Sequence, residues 1–356
     1  MSTVALGTGI TEAGRDIAQR VDDRLREVLT RDRERYSQVA PQSRDVVDAL
    51  LTAVLGGGKR LRPTLAHLAF TGAGGSPGDE RIIEVGAALE LLHAGCLVHD
   101  DVMDDSPVRR GLPTTHAAFG QRHALSGYTG EERRFGEGVA TIVGDLAFFY
   151  AIGLLRGAGP DAQQVFFEMA VDAGIGQYLD LLAAAGPAEA APDPLVIARY
   201  KTGRYTVEGP LRLGAALCGR LADLDPVFTA FGRPAGLAYQ LRDDLIGAFG
   251  DPASTGKPVG DDLRQGKRTL LLAVAGRRVT DPAARDLLRR AGDGGLAEHE
   301  VPLVQHLLID VGARADVEHT CQALAEDAVA ALATADLQTG AKDTLTDFAT
   351  RVAIPT

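Results

Sequence analysis

Asp100, Asp101 and Asp104 form one group of carboxylates and Asp243 and Asp244 a second, each closing an apolar, helix-patterned stretch. The C-terminal end of a helix already carries partial negative charge, and like charges four residues apart repel. Acidic residues there destabilise a bare helix unless a cation binds them. Asp100 and Asp104 share a face at i,i+4, while Gln240, Asp243 and Asp244 fall at i, i+3 and i+4, again on one face. Hard oxygen ligands in this pattern suit a divalent cation that keeps waters and takes up phosphate oxygens, as Mg2+ does. One acidic helix end is usually just solvated, but two of the same design point to metal.

Cations accompany the carboxylates. Gly56-Gly57-Gly58-Lys59-Arg60-Leu61-Arg62-Pro63 sets three basic residues after a glycine turn whose amides can approach an anion closely. It is not a Walker loop, which needs Gly where Ala53 stands and Ser or Thr where Arg60 stands. Arg109-Arg110 follows the first acidic group directly, and arginine forks suit phosphate oxygens bidentately. His93 lies two turns before Asp100 on the same face. Acidic groups and anion-binding cations in one chain imply a metal-bridged diphosphate and a directly held anion.

The elements that must position these residues read as helices. Apolar residues recur mostly at three- and four-residue spacings, and period-two alternation bounded by hairpin turns is hard to find, so the fold class is all-α. The pattern predicts helices over about 11–35, 43–55, 62–72, 80–105, 113–123, 135–156, 161–184, 195–219, 224–249, 268–277, 282–291, 300–312, 317–335 and 339–352. Pro234 predicts a kink in the segment from 224 to 249, or a second helix starting there. Glycine-rich breaks separate the helices without an interdomain linker or a fixed repeat. One domain over 1–356 is expected, with motifs between about 50 and 270 that make sense only if they converge.

Composition narrows the function. Hydrophobic residues make up 45% and aromatics 5%, with no Trp, which suits a core of Ala, Leu and Val. A net charge of -11, from 37 basic and 48 acidic residues, lacks the basic footprint of nucleic-acid binding. Cys96, Cys218 and Cys321 show no CxxC pairing, which fits free thiols in a reducing cytoplasm. The first residues lack the pattern of a signal peptide, and the apolar run from Val85 to Val98 falls short of the ~20 residues of a membrane span.

Gly-Gly-Lys-Arg-Leu-Arg-Pro, Leu91-Leu92-His93 followed by His99-Asp-Asp-Val-Met-Asp, Arg109-Arg110-Gly111 and Gln240 with Asp243-Asp244 resemble, in order, the motifs of the trans-isoprenyl diphosphate synthase family. Weaker landmarks are Gly176-Gln177-Tyr178-Leu179-Asp180-Leu181, Lys201-Thr202, Gly256-Lys257 and Asp262 to Thr269. The resemblance implies helices around a deep central cavity, usually in a homodimer, and a Mg2+-dependent prenyltransferase that joins isopentenyl diphosphate to allylic diphosphates. It makes Asp100, Asp104 and Asp243 metal ligands supported by Asp101 and Asp244. Lys59, Arg62, His93 and Arg110 would bind isopentenyl diphosphate. Arg109, Lys201, Lys257 and Lys267 would grip the allylic diphosphate, with Thr202, Gln177 and Gln240 at the reacting end. The family's second motif commonly ends in a third aspartate, where this chain has Gly247.

In the family a bulky side chain about one turn before the first acidic group stops the growing tail. Gly95 and Cys96 occupy that place, so a C15 limit is not expected and geranylgeranyl diphosphate, C20, is. Leu91, Leu92 or the cluster Phe148-Phe149-Tyr150 could form a lower floor. The alternatives are a longer or a farnesyl product, a class I terpene cyclase, and a non-catalytic partner subunit. A cyclase would need a different second motif and no isopentenyl site. The partner subunit draws support only from Gly247.

Overall fold

The computed structural model describes residues 8–186, 190–250 and 260–353. Its order is α1 (Thr8–Ser37), α2 (Arg44–Leu55), α3 (Leu61–Gly72), α4 (Arg81–Met103), β1 (Val108–Arg109), β2 (Leu112–Pro113), α5 (Thr115–Leu125), α6 (Glu132–Leu154), α7 (Pro160–Ala185) and α8 (Pro194–Ala198). A π-helical segment, Arg199–Glu208, leads into α9 (Gly209–Leu217), α10 (Leu221–Phe249), α11 (Asp261–Arg264), α12 (Leu270–Arg278), α13 (Pro282–Gly292), α14 (Val301–Asp310), α15 (Ala313–Ala331) and α16 (Thr339–Val352). The fold is all-α, as its spacing predicts. Short 3-10 turns fill some of the connections.

The chain, read from sequence as one domain, divides into two compact units whose boundaries fall within or beside helices. The first comprises residues 12–165 and 213–221, the second the described parts of 1–11, 166–212 and 222–356.

In the first unit α4 is the core helix, with Ile82, Val85, Leu89 and Leu91 all fully buried. It reads as apolar on nearly every side because it is enclosed on nearly every side. Two aromatic-for-glycine exchanges bring α6 against it. A Cβ at Gly95 would stand 2.6 Å from the Phe148 ring, and one at Gly144 would overlap the His99 ring. Each ring lies where the facing helix has no side chain, and the two rings meet edge to face at 5.5 Å.

The second unit is built on the C-terminal half of α10. Leu241, Leu245 and Ala248 pack with Leu271, Val274 and Ala275 of α12, Val304 and Leu308 of α14, and Val317 and Cys321 of α15. Asp281 caps α13 by accepting from the Ala284 amide at 2.8 Å, with Pro282 at the first helical position, the favoured start of a helix.

Two expectations need correction. Pro234 neither ends nor divides α10, which runs unbroken from Leu221 to Phe249. Tertiary packing holds it: a Cβ at Gly236 would stand 2.6 Å from the Gly203 carbonyl oxygen, so the π-helical backbone lies directly against the turn that the proline weakens. A two-stranded hairpin exists at 108–113, too short for alternation to reveal. By length and composition alone α4 and the stretch Glu132–Gly157, which holds α6, are long and apolar enough to cross a membrane, a test that the core helix of a soluble protein also passes. The α4 stretch is 78% buried within the protein and the α6 stretch 33%.

Candidate active site

In the first unit the chain stops α4 with a Schellman turn. Asp105 takes the left-handed conformation (φ 49), its amide reaches the Val102 carbonyl at 3.3 Å, and the Ser106 amide reaches the Asp101 carbonyl at 2.9 Å. Asp100 is half-buried and Asp104 exposed at this end. Asp101 is buried, and Arg109 donates to its Oδ1 through Nε at 2.7 Å, with Nη2 at 2.6 Å. Burial raises the Asp101 pKa and Arg109 only partly opposes this. Asp101 therefore anchors Arg109, whose Nη2 also reaches Asp100 Oδ2 at 3.5 Å.

Arg109 and Arg110 reach the site through the hairpin. Arg109 pairs with Leu112, leaving Arg110 and Gly111 as the two turn residues, at φ 53 and 77. Two successive positive φ values define the type I′ turn whose twist matches a tight hairpin. Arg110 then donates to the Gly57 carbonyl of the glycine turn. Within Lys59-Arg60-Leu61-Arg62 the cations part ways: Lys59 is exposed, whereas Arg62 is buried beside His93 at the start of α3. Arg60 is also buried, and is bound by Glu90 at 2.8 Å and Asp22 at 2.7 Å. That central arginine is a structural pin.

His93 reports what the cations create. Its burial comes first, and the guanidiniums of Arg62, Arg110, Arg109 and Arg60 add to it, holding its pKa well below the usual value. The imidazole is thus held neutral among these cations, two helical turns before Asp100 on the same face of α4.

The second unit repeats the theme. Gln240 donates to Asp244 at 2.7 Å. Burial pushes the Asp244 carboxyl up to about 8, with Asp262 and Asp243 adding to the shift. Lys267 donates to the buried Asp262 at 3.0 Å. A Cβ at Gly247 would overlap the Asp262 carboxylate. The space that a third aspartate would need is thus filled by Asp262, carried in by the segment after α10. Lys201, on the π-helical segment, pairs with Asp180 of α7, and its backbone lies so close to Gly176 that no Cβ fits there. Gln177 and Thr202 are half-buried nearby in sequence to these two. Lys257 lies outside the described residues.

Sequence reasoning gave no role to Arg60, Asp180 or Asp262. Asp180 and Asp262 stood inside quoted motif segments, and the glycine at 247 was the one hint that another carboxylate must fill its place. Among the described residues no three His, Cys, Asp or Glu side chains form a ready-made metal cage. Asp100 with Asp104, and Asp243 with its neighbours, fit a cation that takes one or two carboxylates from protein and the rest of its shell from water and substrate phosphate.

The structure is thus an all-α fold in which α4 ends in carboxylates beside buried arginines and α10 carries a second carboxylate pair. The chain belongs to the polyprenyl synthetase family, whose model matches residues 44–302. The family comprises prenyltransferases of isoprenoid biosynthesis, and magnesium use is general within it. A geranylfarnesyl diphosphate synthase of Aeropyrum pernix is 34% identical over 266 residues, covering 74% of this chain and 80% of that one. A geranylgeranyl diphosphate synthase of Mycobacterium tuberculosis is 36% identical over 233 residues, 63% of this chain and 60% of that one. A crystal structure of geranylgeranyl pyrophosphate synthase from Corynebacterium glutamicum, complexed with isoprenyl diphosphate and magnesium, superposes with a TM-score of 0.87 at 33% identity, over 96% of this chain and 99% of that one.

Proposed function

We propose that this protein is a magnesium-dependent trans-prenyl diphosphate synthase that condenses isopentenyl diphosphate with allylic diphosphates, with geranylgeranyl diphosphate as its product. The observation that carries the reading is the neutral His93 ringed by four guanidiniums, next to a helix end bearing Asp100 and Asp104. Lys59, Arg62, His93 and Arg110 hold the isopentenyl diphosphate. Arg109, Lys201, Lys257 and Lys267 grip the allylic diphosphate, and Thr202, Gln177 and Gln240 line its reacting end.

Asp100, Asp104 and Asp243 would hold magnesium, which would supply charge neutralisation for the diphosphate. Cationic side chains placed where negative charge develops lower the barrier to breaking the allylic C–O bond, whose electron pair stays with the diphosphate oxygen. The isopentenyl double bond attacks the allylic carbon, a new C–C bond forms, and the proton lost goes to the departed diphosphate. No protein base is required.

Relatives make products of different lengths, so the product is an inference from this chain's own packing. The space beside Gly95 is filled by Phe148, so that ring, lying beyond His99 on the α4–α6 seam, is the bulky group at the place where the tail would meet residue 95. Cys96, half-buried beside it, leaves a small side chain at the adjoining position. A homodimer is supported by the exposed apolar stripe Phe167, Val171, Ile175 and Tyr178 on α7. A cytoplasmic setting is supported by the three free cysteines.

The deciding experiment incubates purified protein with Mg2+, isopentenyl diphosphate and dimethylallyl, geranyl or farnesyl diphosphate, followed by chromatography of the products. A C20 product supports the full reading. Another length overturns only the product assignment, and no condensation with any primer overturns the synthase.

A further inference from the structure

At the opposite end of α4 from its carboxylates, the first unit contains a cavity of about 850 Å³. Its walls carry five arginines, Arg24, Arg31, Arg35, Arg81 and Arg156, against two carboxylates, Asp32 and Glu84. Both carboxylates are already engaged: Glu84 with Arg24 at 2.8 Å, and Asp32 with Arg31 at 3.2 Å and the Tyr150 hydroxyl at 3.0 Å. Arg81 pairs with Asp79. Among the described residues Arg35 and Arg156 have no carboxylate partner, so the cavity carries a surplus of positive charge.

The remaining wall is apolar, with Val28, Leu146 and Leu154 beside the Tyr150 ring. Arginines in this number are a poor lining for a bare hydrocarbon tail, because burying them without counter-charge is costly. They are a good lining for phosphate oxygens, which their planar forks engage bidentately.

Sixteen residues of helix separate Glu84 from Asp100, roughly 24 Å at ~1.5 Å per residue. The cavity is therefore distinct from the carboxylate end of the same helix. We infer that it is a second ligand site, for a phosphate- or diphosphate-headed amphiphile whose head lies among Arg35, Arg81 and Arg156 and whose apolar part lies on Val28, Leu146 and Leu154. A soluble prenyl diphosphate and a lipid headgroup share that chemistry, and the experiment separates the two.

The test is calorimetric titration of the full-length protein, in EDTA, with octyl phosphate and with inorganic phosphate as probes. Binding of octyl phosphate to wild type should weaken at least tenfold in Arg35→Glu/Arg156→Glu. The synthase rate and unfolding midpoint of that variant should stay close to wild type. Arg35→Lys/Arg156→Lys should recover most of the binding, and Arg110→Ala, altered at the other anion site, should retain it.

Identical isotherms for wild type and the double glutamate variant would overturn the proposal. So would loss of the same isotherm in Arg110→Ala, which would assign it to the α4 carboxylate end. Inorganic phosphate binding as tightly as octyl phosphate would remove the amphiphile. Liposomes of anionic phospholipid that bind wild type but not the glutamate variant, while octyl phosphate binds neither, would transfer the site to a membrane surface and overturn the soluble ligand. None of the binding isotherms depends on whether the protein condenses prenyl diphosphates.

Discussion

Each aspartate of the first group has its own environment, and with it a different task. At the end of α4 Asp104 is exposed and Asp100 half-buried, whereas Asp101 is buried against Arg109. Replacing Asp100 or Asp104 by Ala should lower kcat by ~100-fold or more, the usual cost of losing one preorganised electrostatic group. Asp101→Ala should also release Arg109, and so raise KM for the allylic substrate; steady-state kinetics with each variant separates the two effects. Asp244 makes a pH prediction. An unfolded aspartate titrates near ~3.9, but in the folded chain burial moves Asp244 to about 8. The folded state then holds a proton that the unfolded chain lacks, so this contribution to stability is full below the unfolded pKa and is lost as pH rises through about 8. In EDTA the unfolding midpoint should fall from pH 5 to pH 8, and Asp244→Asn should flatten that fall. An equal fall in the variant would mean that another group is responsible.

Packing between elements decides what substitutions at the glycines can do. The space beside Gly95 is taken by Phe148, so Gly95→Phe should cost stability before it shortens any product, by ~1–3 kcal/mol for an overpacked core. Phe148→Ala is the cleaner probe and should lengthen the product; an unchanged product spectrum from a folded, active variant would exclude the ring as a floor. Gly247→Asp, which restores the family's third aspartate, should lower activity by displacing Asp262 and its partner Lys267. Adding Asp262→Gly should recover part of the loss in the same assay. The helices themselves were legible from sequence, because three- and four-residue spacing of apolar residues survives any packing. Their departures from ideality were not. The π-helical turn at Lys201 and the uninterrupted α10 both depend on Gly203 lying against Gly236, a contact between residues 33 positions apart that no local pattern announces.

Across the whole molecule, the candidate site was readable as a set of residue types but not as a set of roles. Lys59, Arg60 and Arg62 look alike in sequence, yet one is exposed, one is locked between Glu90 and Asp22, and one lies beside His93. Burial and partner choice separated them, and both arise from residues 30 or more positions away. The apolar stripe on α7 bears on assembly. Ile175→Asp should shift the sedimentation of the protein from dimer to monomer at micromolar concentration, and a monomeric wild type would remove the stripe from that role.

The reciprocal seating of Phe148 at Gly95 and of His99 at Gly144 has a consequence for how such chains diverge. Neither position can drift alone, since a side chain gained at one glycine must be matched by bulk lost from the ring it meets. Residues 95 and 148 should therefore covary among relatives, as should 99 and 144. A single step at Phe148 that changed product length would carry a packing penalty, which a matching exchange at residue 95 would relieve.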